Sequence, residues 1–272
     1  MNFILNKSFQ NLNEISEKNK KKFLNAEPFS HIEFNDFFDD QYLEEILDTF
    51  PHENLKNYDH NFKNETEVKL AINSPEKIPD KINSFIEYLN SYSFLSFLQN
   101  LTGIKEKLIP DPYLFGGGLH LIKRGGFLKI HSDFNVHPQT KLNRRINLLL
   151  YLNKDWKDEW GGQLELWNQQ MKSCVVKVKP NFNKMVIFKT TDFSYHGHPE
   201  PLMSPDNVTR KSIALYYYTN GRPKEEVDPK NGERGQTTLF QRRQNYEENF
   251  ITNRIIFKKI FGSFYIRKKE NY

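Results

Sequence analysis

The segment GLHLIKRGGFLKIHSD, residues 118–133, alternates apolar and polar side chains on both sides of a Gly-Gly pair. A period of two is typical of β-strands, and the glycines at 125 and 126 indicate a tight turn between two of them. Because successive side chains of a strand point to opposite faces, His131 and Asp133 at the end of the second run point the same way.

The same alternation continues as far as residue 219, with turn signals such as Gly161-Gly162 and Pro180-Asn181 between the runs. About eight short strands with few helices between them predict an antiparallel jelly roll, or double-stranded β-helix, rather than a parallel α/β sheet. The predicted strands are residues 118–123, 127–133, 145–153, 162–167, 174–180, 184–190, 193–197 and 210–219.

The first part of the chain reads as helical. Apolar residues recur at helical spacing in 39–50 and again in 81–103, where the pattern indicates two helices and Gly103 a C-cap. A short strand is expected in FSHIEFNDFF, residues 29–38. We therefore expect a mainly β fold with flanking helices. Its predicted parts are an N-terminal helical or mixed segment at 1–110, a jelly-roll core at 111–222 and a basic, partly helical extension at 223–272, within one structural domain.

Composition limits the class of protein. The chain has 272 residues, 37% of them hydrophobic and 27% charged, which indicates a globular protein rather than a disordered or fibrous one. Its net charge of +5 is modest, and no recognised nucleic-acid module accompanies the basic clusters near the end, so nucleic acid is not an expected partner. Cys174 is the only cysteine, which excludes an intrachain disulfide and fits a reducing compartment. Without a long apolar run, the protein is expected to be soluble and cytoplasmic, with no membrane partner.

A third side chain extends the pair at 131 and 133. An HxD pair is common by chance, but His196 lies near the end of another predicted strand, in FSYHGHPEP. Two imidazoles and one carboxylate with open positions beside them make the facial triad of non-haem Fe(II) oxygenases. His198 is a rival third ligand, which we place second because it lies against Pro199. His120 alternates with leucines and is either structural or part of the pocket lining.

The later strands provide polar groups for a ligand. Arg210 and Ser212 share one face of the strand at 210–219, and a buried guanidinium needs a partner, for which a carboxylate is well shaped. In the strand at 145–153, Asn147 and Tyr151 share a semi-polar face opposite an apolar one, which indicates a lumen that holds a polar ligand. The Tyr151 phenol is predicted either to reach that ligand or to bond to the backbone within the core.

Four motifs carry a family resemblance: GGGLHLIKRGGFLKIHSDFN, RRINLLLYLNKDWKDEWGGQLELW, SYHGHPEPL and TRKSIALYYYT. They resemble the Fe(II)- and 2-oxoglutarate-dependent dioxygenases, in the branch similar to prolyl 4-hydroxylases, and they follow the family's order over residues 116–219. The resemblance implies that His131, Asp133 and His196 bind iron. It further implies that Arg210 binds the distal carboxylate of 2-oxoglutarate, with Ser212 and Tyr151 beside it.

The resemblance also implies an activity. Fe(2+) would be the cofactor, 2-oxoglutarate and O2 the cosubstrates and ascorbate a candidate reductant, and the reaction would hydroxylate an unactivated C–H bond. The substrate would be a prolyl residue of a peptide or a small molecule. Many prolyl hydroxylases carry a tyrosine about ten residues before the first iron histidine, whereas this chain has Leu121 there, which leaves the prolyl assignment open.

Three alternatives remain at this point. The first is a non-catalytic, cupin-like jelly roll that binds a metal or ligand, which would not decarboxylate 2-oxoglutarate. The second is a zinc hydrolase, since zinc also accepts two histidines and an aspartate, but it would consume no O2. The third is a nucleic-acid demethylase of the same superfamily, which would show salt-dependent binding to DNA or RNA. The sequence does not predict the oligomeric state.

Overall fold

The computed structural model describes residues 4–52, 58–229 and 235–248. Its α-helices are α1 (Leu12–Leu24), α2 (Asp40–Asp48), α3 (Asp80–Leu89) and α4 (Tyr92–Thr102). Its strands are β1 (His31–Asn35), β2 (His60–Lys63), β3 (Glu67–Ile72), β4 (Ile109–Pro110), β5 (Gly118–Ile122), β6 (Phe127–Ser132), β7 (Asn143–Tyr151), β8 (Leu164–Trp167), β9 (Cys174–Val178), β10 (Lys184–Lys189), β11 (His196–His198), β12 (Arg210–Thr219) and β13 (Leu239–Phe240).

These strands form one antiparallel sheet that curls into a nearly closed barrel. The order is β1-β10-β7-β12-β5-β3-β6-β11-β8-β9. Because β3 pairs with β5 along one half and with β6 along the other, it joins the two sides of the jelly roll. The predicted jelly-roll core with helices at the N-terminus is confirmed.

Alternation along β7 separates the core from the lumen. Ile146, Leu148 and Leu150 are fully buried in the main apolar cluster. Asn147 and Tyr151 point the other way and line the cavity inside the barrel. A strand that is apolar on one face and semi-polar on the other therefore forms the wall between the helices and the ligand space.

Three of the four helices, α1, α2 and α4, begin at a residue whose side chain caps the first turn. The side chain of Asp39 accepts a hydrogen bond from the Tyr42 backbone N–H at the start of α2, and Ser91 does the same for Phe94 in α4. Gly103 ends α4 in the left-handed conformation, with φ of +66°, as its predicted C-cap role requires. The helices cover the outer face of the sheet, since their buried residues belong to the same cluster as the apolar side of β7.

Several expectations from sequence differ from the structure. The N-terminal segment contributes β2 and β3 as well as β1, although the pattern had indicated mostly helices there. These strands are short, and their residues are mostly only partly buried, so they lack a strong period-two signal. The strand predicted at 193–197 instead spans His196–His198, so His196 begins it rather than ending it.

The C-terminal extension is described only in part. Its described residues contain a 3-10 turn at Lys224–Glu226 and strand β13, which pairs with β6. The helical part predicted for this extension, and the basic clusters at 257–261 and 266–270, lie outside the described residues. The division of the chain at residues 110 and 222 stays a prediction. Among the described residues, no helix combines the length and apolar character that a membrane span requires.

Phe37 provides a test of the packing between the helices and the sheet. Its ring is fully buried and contacts other rings, with centroid separations of 4.7 Å to Phe9 and 5.5 Å to Phe97. Phe37→Ala should lower the free energy of unfolding by about 3–5 kcal/mol, because it leaves a cavity among these rings. Urea unfolding followed by circular dichroism measures the change.

The matched control is Tyr92→Ala, since Tyr92 is an aromatic residue that is 87% exposed. Its effect should stay within about 0.5 kcal/mol. Equal effects of the two substitutions would show that the aromatic cluster does not hold the helices on the sheet.

Candidate active site

The site forms where β6 and β11 lie side by side. Their antiparallel pairing places His131 directly opposite His196, and Asp133 follows β6. One ligand atom from each of these three buried residues lies within 4.8 Å of the other two. Each imidazole Nε2 is 3.5 Å from an oxygen of Asp133, His131 from Oδ1 and His196 from Oδ2. The structure therefore brings together the three residues that the sequence proposed as a triad.

The backbone fixes the tautomer of both histidines. Nδ1 of His131 lies 2.8 Å from the Lys129 carbonyl oxygen, and Nδ1 of His196 lies 2.9 Å from that of Ser194. Because a carbonyl only accepts, Nδ1 carries the proton and Nε2 keeps its lone pair. Burial lowers the pKa of His196 to about 4, so this ring is neutral at physiological pH. A neutral imidazole with a free Nε2 is the form that binds a metal.

Asp133 is held as a carboxylate. Burial alone would raise its pKa, but the Arg144 guanidinium, with His196 and His131, holds that pKa well below its usual range. Arg144 Nη2 lies 2.9 Å from Oδ2, and the amide of Asn147 donates to the same oxygen at 2.8 Å. Arg144 also lies over the Tyr216 ring, with Cζ 3.3 Å from its centroid. These contacts orient the carboxylate toward the two imidazoles.

Residues 235–240, which we call the C-terminal strap, cover the triad from outside the predicted core. The side chain of Gln236 donates to the Asp133 carbonyl oxygen at 2.9 Å and to Ser132 Oγ at 3.1 Å. The ring of Phe240 packs on His131, with 5.5 Å between centroids. Sequence reasoning missed both residues, because a lone glutamine and phenylalanine in a polar segment carry no pattern.

Arg210 lies in a second polar region of the site. We call the His131-Asp133-His196 triad and Arg210 the two poles of the site. Its side chain is buried, donates from Nε to the Gly162 carbonyl oxygen at 2.8 Å and from Nη2 to Tyr151 Oη at 3.2 Å. Among the described residues, no acidic side chain forms an ion pair with it. Burial raises the pKa of Tyr151, so its phenol is neutral and neutralises no charge. A buried guanidinium without a counter-charge is a site for an anion.

The neighbours of Arg210 follow from the strand registers. Ser212 lies opposite Tyr151 on β7 and opposite His120 on β5, which makes a row across the inner face of the sheet. The phenol of Tyr151 accepts a hydrogen bond from Arg210. Of the two roles that the sequence left open for this phenol, a bond to the backbone within the core is not the one that the structure shows. Gly162 has φ of +74°, and a Cβ there would lie 2.5 Å from Leu202 Cδ2, so the second glycine of the Gly-Gly pair permits this packing.

One cavity of about 1040 Å³ connects the two poles. Its walls include the triad, Arg210, Ser212 and Tyr151, together with His120 and His198. Phe115 and Phe134 also line it, and Phe115 is 40% exposed. The size is at the upper end for small-molecule pockets, so the cavity has room for a small acid beside the triad and for part of a second molecule.

The remaining candidates differ in their contacts. His198 lies in the cavity wall but outside the triad, and neither of its ring nitrogens has a hydrogen-bond partner among the described residues. His120 also lines the cavity. Leu121, at the position where prolyl hydroxylases carry a tyrosine, faces the apolar core instead. The residue of β5 that faces the ligand space is therefore His120.

Comparison with known proteins agrees with this geometry. The sequence model of the 2OG-Fe(II) oxygenase superfamily matches residues 117–218. A curated relative, prolyl 3,4-dihydroxylase OGFOD1 of Ostreococcus tauri, is 26% identical over 224 residues, which cover 73% of this chain and 40% of that protein. The chain thus spans less than half the length of this relative.

Solved structures share the fold. A prolyl-4-hydroxylase of Pseudomonas putida has a TM-score of 0.54 at 14% identity, covering 77% of this chain and all of that one. A prolyl hydroxylase of Trichoplax adhaerens, solved with a hypoxia inducible factor peptide fragment, has a TM-score of 0.52 at 19% identity, covering 78% of this chain and 92% of that one. Residues 117–218 are thus similar to the 2OG-Fe(II) oxygenase superfamily, and the chain shares the fold of prolyl 4-hydroxylases.

Gln236 tests whether the strap supports the triad. Gln236→Leu removes its hydrogen bonds to Ser132 and Asp133 and leaves buried acceptors without those donors, so the free energy of unfolding should fall by about 1–3 kcal/mol. Denaturant titration measures it. Gln244→Leu is the control, since the side chain of Gln244 is exposed and donates to the Gln170 carbonyl at the surface. An equally small change in both variants would show that the strap is not coupled to the triad.

Proposed function

We propose that this protein is an Fe(II)- and 2-oxoglutarate-dependent dioxygenase that hydroxylates an unactivated C–H bond. The observation that carries the proposal is the pairing, in one cavity, of a His-Asp-His triad with a buried arginine that lacks a counter-charge. The superfamily uses Fe(2+) and 2-oxoglutarate, and the chain offers a matching group for each of them.

The donor set fits iron. His131, Asp133 and His196 would hold Fe(II) through two neutral imidazoles and one carboxylate, and all three line the cavity. Held by these residues, Fe(II) would supply the chemistry that couples O2 activation to the oxidative decarboxylation of 2-oxoglutarate to succinate and CO2, with ascorbate as a candidate reductant. The hydrogen bonds to Lys129 and Ser194 keep both rings oriented for this role, so little reorganisation is needed when the metal enters.

The other polar groups position the cosubstrate. Arg210 would bind the distal carboxylate through its guanidinium, while Tyr151 holds that guanidinium and offers its phenol to the same ligand. Ser212 lies between Tyr151 and His120 in the row across the sheet and would add a hydroxyl donor. Phe240 and the strap shield the triad from water, which protects an oxidising reaction from side reactions.

The alternatives are less well supported. The superfamily match and the relatives favour a hydroxylase over a non-catalytic jelly roll. A zinc hydrolase does not require a buried arginine free for a carboxylate. A nucleic-acid substrate had rested on the basic clusters at the end of the chain, most of which lie outside the described residues.

A peptidyl proline is the substrate we propose first. The support is the likeness to proteins named as prolyl hydroxylases and the partly exposed aromatic side chain of Phe115 at the cavity. A small molecule is the second candidate, since His120 rather than a tyrosine faces the ligand on β5. A cytoplasmic location stays a prediction.

Anaerobic reconstitution with Fe(II) and 2-oxoglutarate tests the proposed function. A weak visible charge-transfer band should appear only when both are present, because the band reports chelation of iron by the keto acid. Addition of O2 should then release succinate. A protein that binds Fe(II) but gives neither the band nor succinate would contradict the proposal.

Arg210→Ala should separate the two poles of the site. Loss of the charged hydrogen bonds should raise the Kd for 2-oxoglutarate by about tenfold to a hundredfold or more, while Fe(II) binding is retained. Asp133→Ala should instead abolish Fe(II) binding. Titration of each variant with Fe(II), and then with 2-oxoglutarate, measures both constants. Arg124→Ala is the control, since the Arg124 side chain is 47% exposed and lies outside the cavity. An equal change in the Kd for 2-oxoglutarate in both arginine variants would refute the role of Arg210.

The substrate is tested by coupling to succinate. Proline-containing peptides should stimulate succinate release from the reconstituted enzyme above its basal rate, and mass spectrometry should show the addition of one oxygen to a prolyl residue. Stimulation by small metabolites alone would overturn the prolyl assignment and leave the oxygenase assignment intact.

A further inference from the structure

His198 is a polar side chain that the proposed reaction leaves without a role. It is 4% exposed, and within the described residues neither ring nitrogen has a hydrogen-bond partner. Since a buried imidazole without partners costs stability, such a group is expected to bind something that enters the site.

The position of His198 on β11 sets the direction of its ring. His196 and His198 share one face of the strand, and both line the cavity. Gly197 between them faces the backbone of β6, where a Cβ would lie 2.7 Å from the Leu128 carbonyl oxygen. The strand therefore packs closely on β6, although the pairing is irregular between His196 and His198, and His198 forms part of the cavity wall.

His198 and Arg210 line the same cavity. An imidazole carries at least one N–H donor whatever its tautomer, and neither ring nitrogen of His198 uses one within the described residues. A carboxylate bound by Arg210 has lone pairs beyond those that the guanidinium uses, and it can accept from that N–H.

We propose that His198 donates a hydrogen bond to the distal carboxylate of the 2-oxo acid cosubstrate and so contributes to selecting a dicarboxylate. This inference rests on the proposed function. In this proposal His198 binds the cosubstrate, whereas His196 binds the metal.

The test compares His198→Leu, His198→Gln and His52→Leu with the wild type. Leucine keeps much of the volume but removes the donor, glutamine restores an N–H near the imidazole position, and His52 is an exposed histidine outside the cavity lining. For each protein, the Kd for Fe(II) is measured anaerobically without cosubstrate. The Kd for 2-oxoglutarate is then measured at saturating Fe(II) from the visible band.

His198→Leu should raise the Kd for 2-oxoglutarate by about tenfold to a hundredfold, as expected for a lost hydrogen bond to a charged group. Its Kd for Fe(II) should stay at the wild-type value, His198→Gln should recover most of the 2-oxoglutarate affinity, and His52→Leu should change neither constant. An unchanged Kd for 2-oxoglutarate in His198→Leu, or an equal loss of Fe(II) affinity, would overturn the inference. A wild-type protein that binds no 2-oxoglutarate would instead overturn the proposed function.

A measurement on the wild type covers the case in which a variant does not fold. In protein labelled with 15N-histidine and loaded with diamagnetic Zn(II), addition of 2-oxoglutarate should shift the ring-nitrogen signals of His198. Their assignment comes from comparison with whichever His198 variant folds, or from through-bond correlation to the backbone. Signals that stay in place at saturating 2-oxoglutarate would mean that His198 contacts only water.

Discussion

The register between β6 and β11 is the constraint on which the site depends. It sets His131 opposite His196 and leaves Asp133 at the end of β6. A shift of β11 by one residue would turn His196 to the other face of the sheet, away from His131. Gly197 permits the close approach of the two strands, because a Cβ there would lie 2.7 and 2.8 Å from the carbonyl oxygens of Leu128 and Lys129. The pairing is irregular between His196 and His198, so this glycine lies where the two strands change register.

The charges around the cavity are unevenly compensated. Asp133 already has Arg144 as a neighbour, whereas Arg210 has only neutral partners among the described residues. A dicarboxylate bound at Arg210 would supply the negative charge that this arginine lacks among the described residues, and under the proposed function it would also offset part of the charge of the metal.

The sequence was sufficient for the parts of the site that depend on local alternation. The period of two along β7 and β12 predicted which side chains face the lumen, and Tyr151, Arg210 and Ser212 followed from it, whereas the triad was proposed from the HxD spacing and a later histidine. The sequence could not locate β2, β3 or the strap, because their pairing is set by distant parts of the chain and their residues show no strong pattern. At β5 it left open whether His120 is structural or lines the pocket; the structure places His120 in the cavity wall and Leu121 in the apolar core.

Three histidines of the site differ in the hydrogen bonds of their ring nitrogens, namely His131, His196 and His198. The first two rings each bond through Nδ1 to the carbonyl two residues earlier in the chain, which fixes the tautomer and aims Nε2 at Asp133. His198 makes no such bond, although the carbonyl of His196 lies at the same sequence separation. A histidine that binds a metal needs a fixed tautomer, with the proton on the nitrogen that does not face the metal. A histidine that donates a hydrogen bond to an organic acid can change its tautomer and ring orientation when the acid binds. The absence of a backbone anchor at His198 therefore favours a role toward the acid, and its presence at His196 favours a role toward the metal.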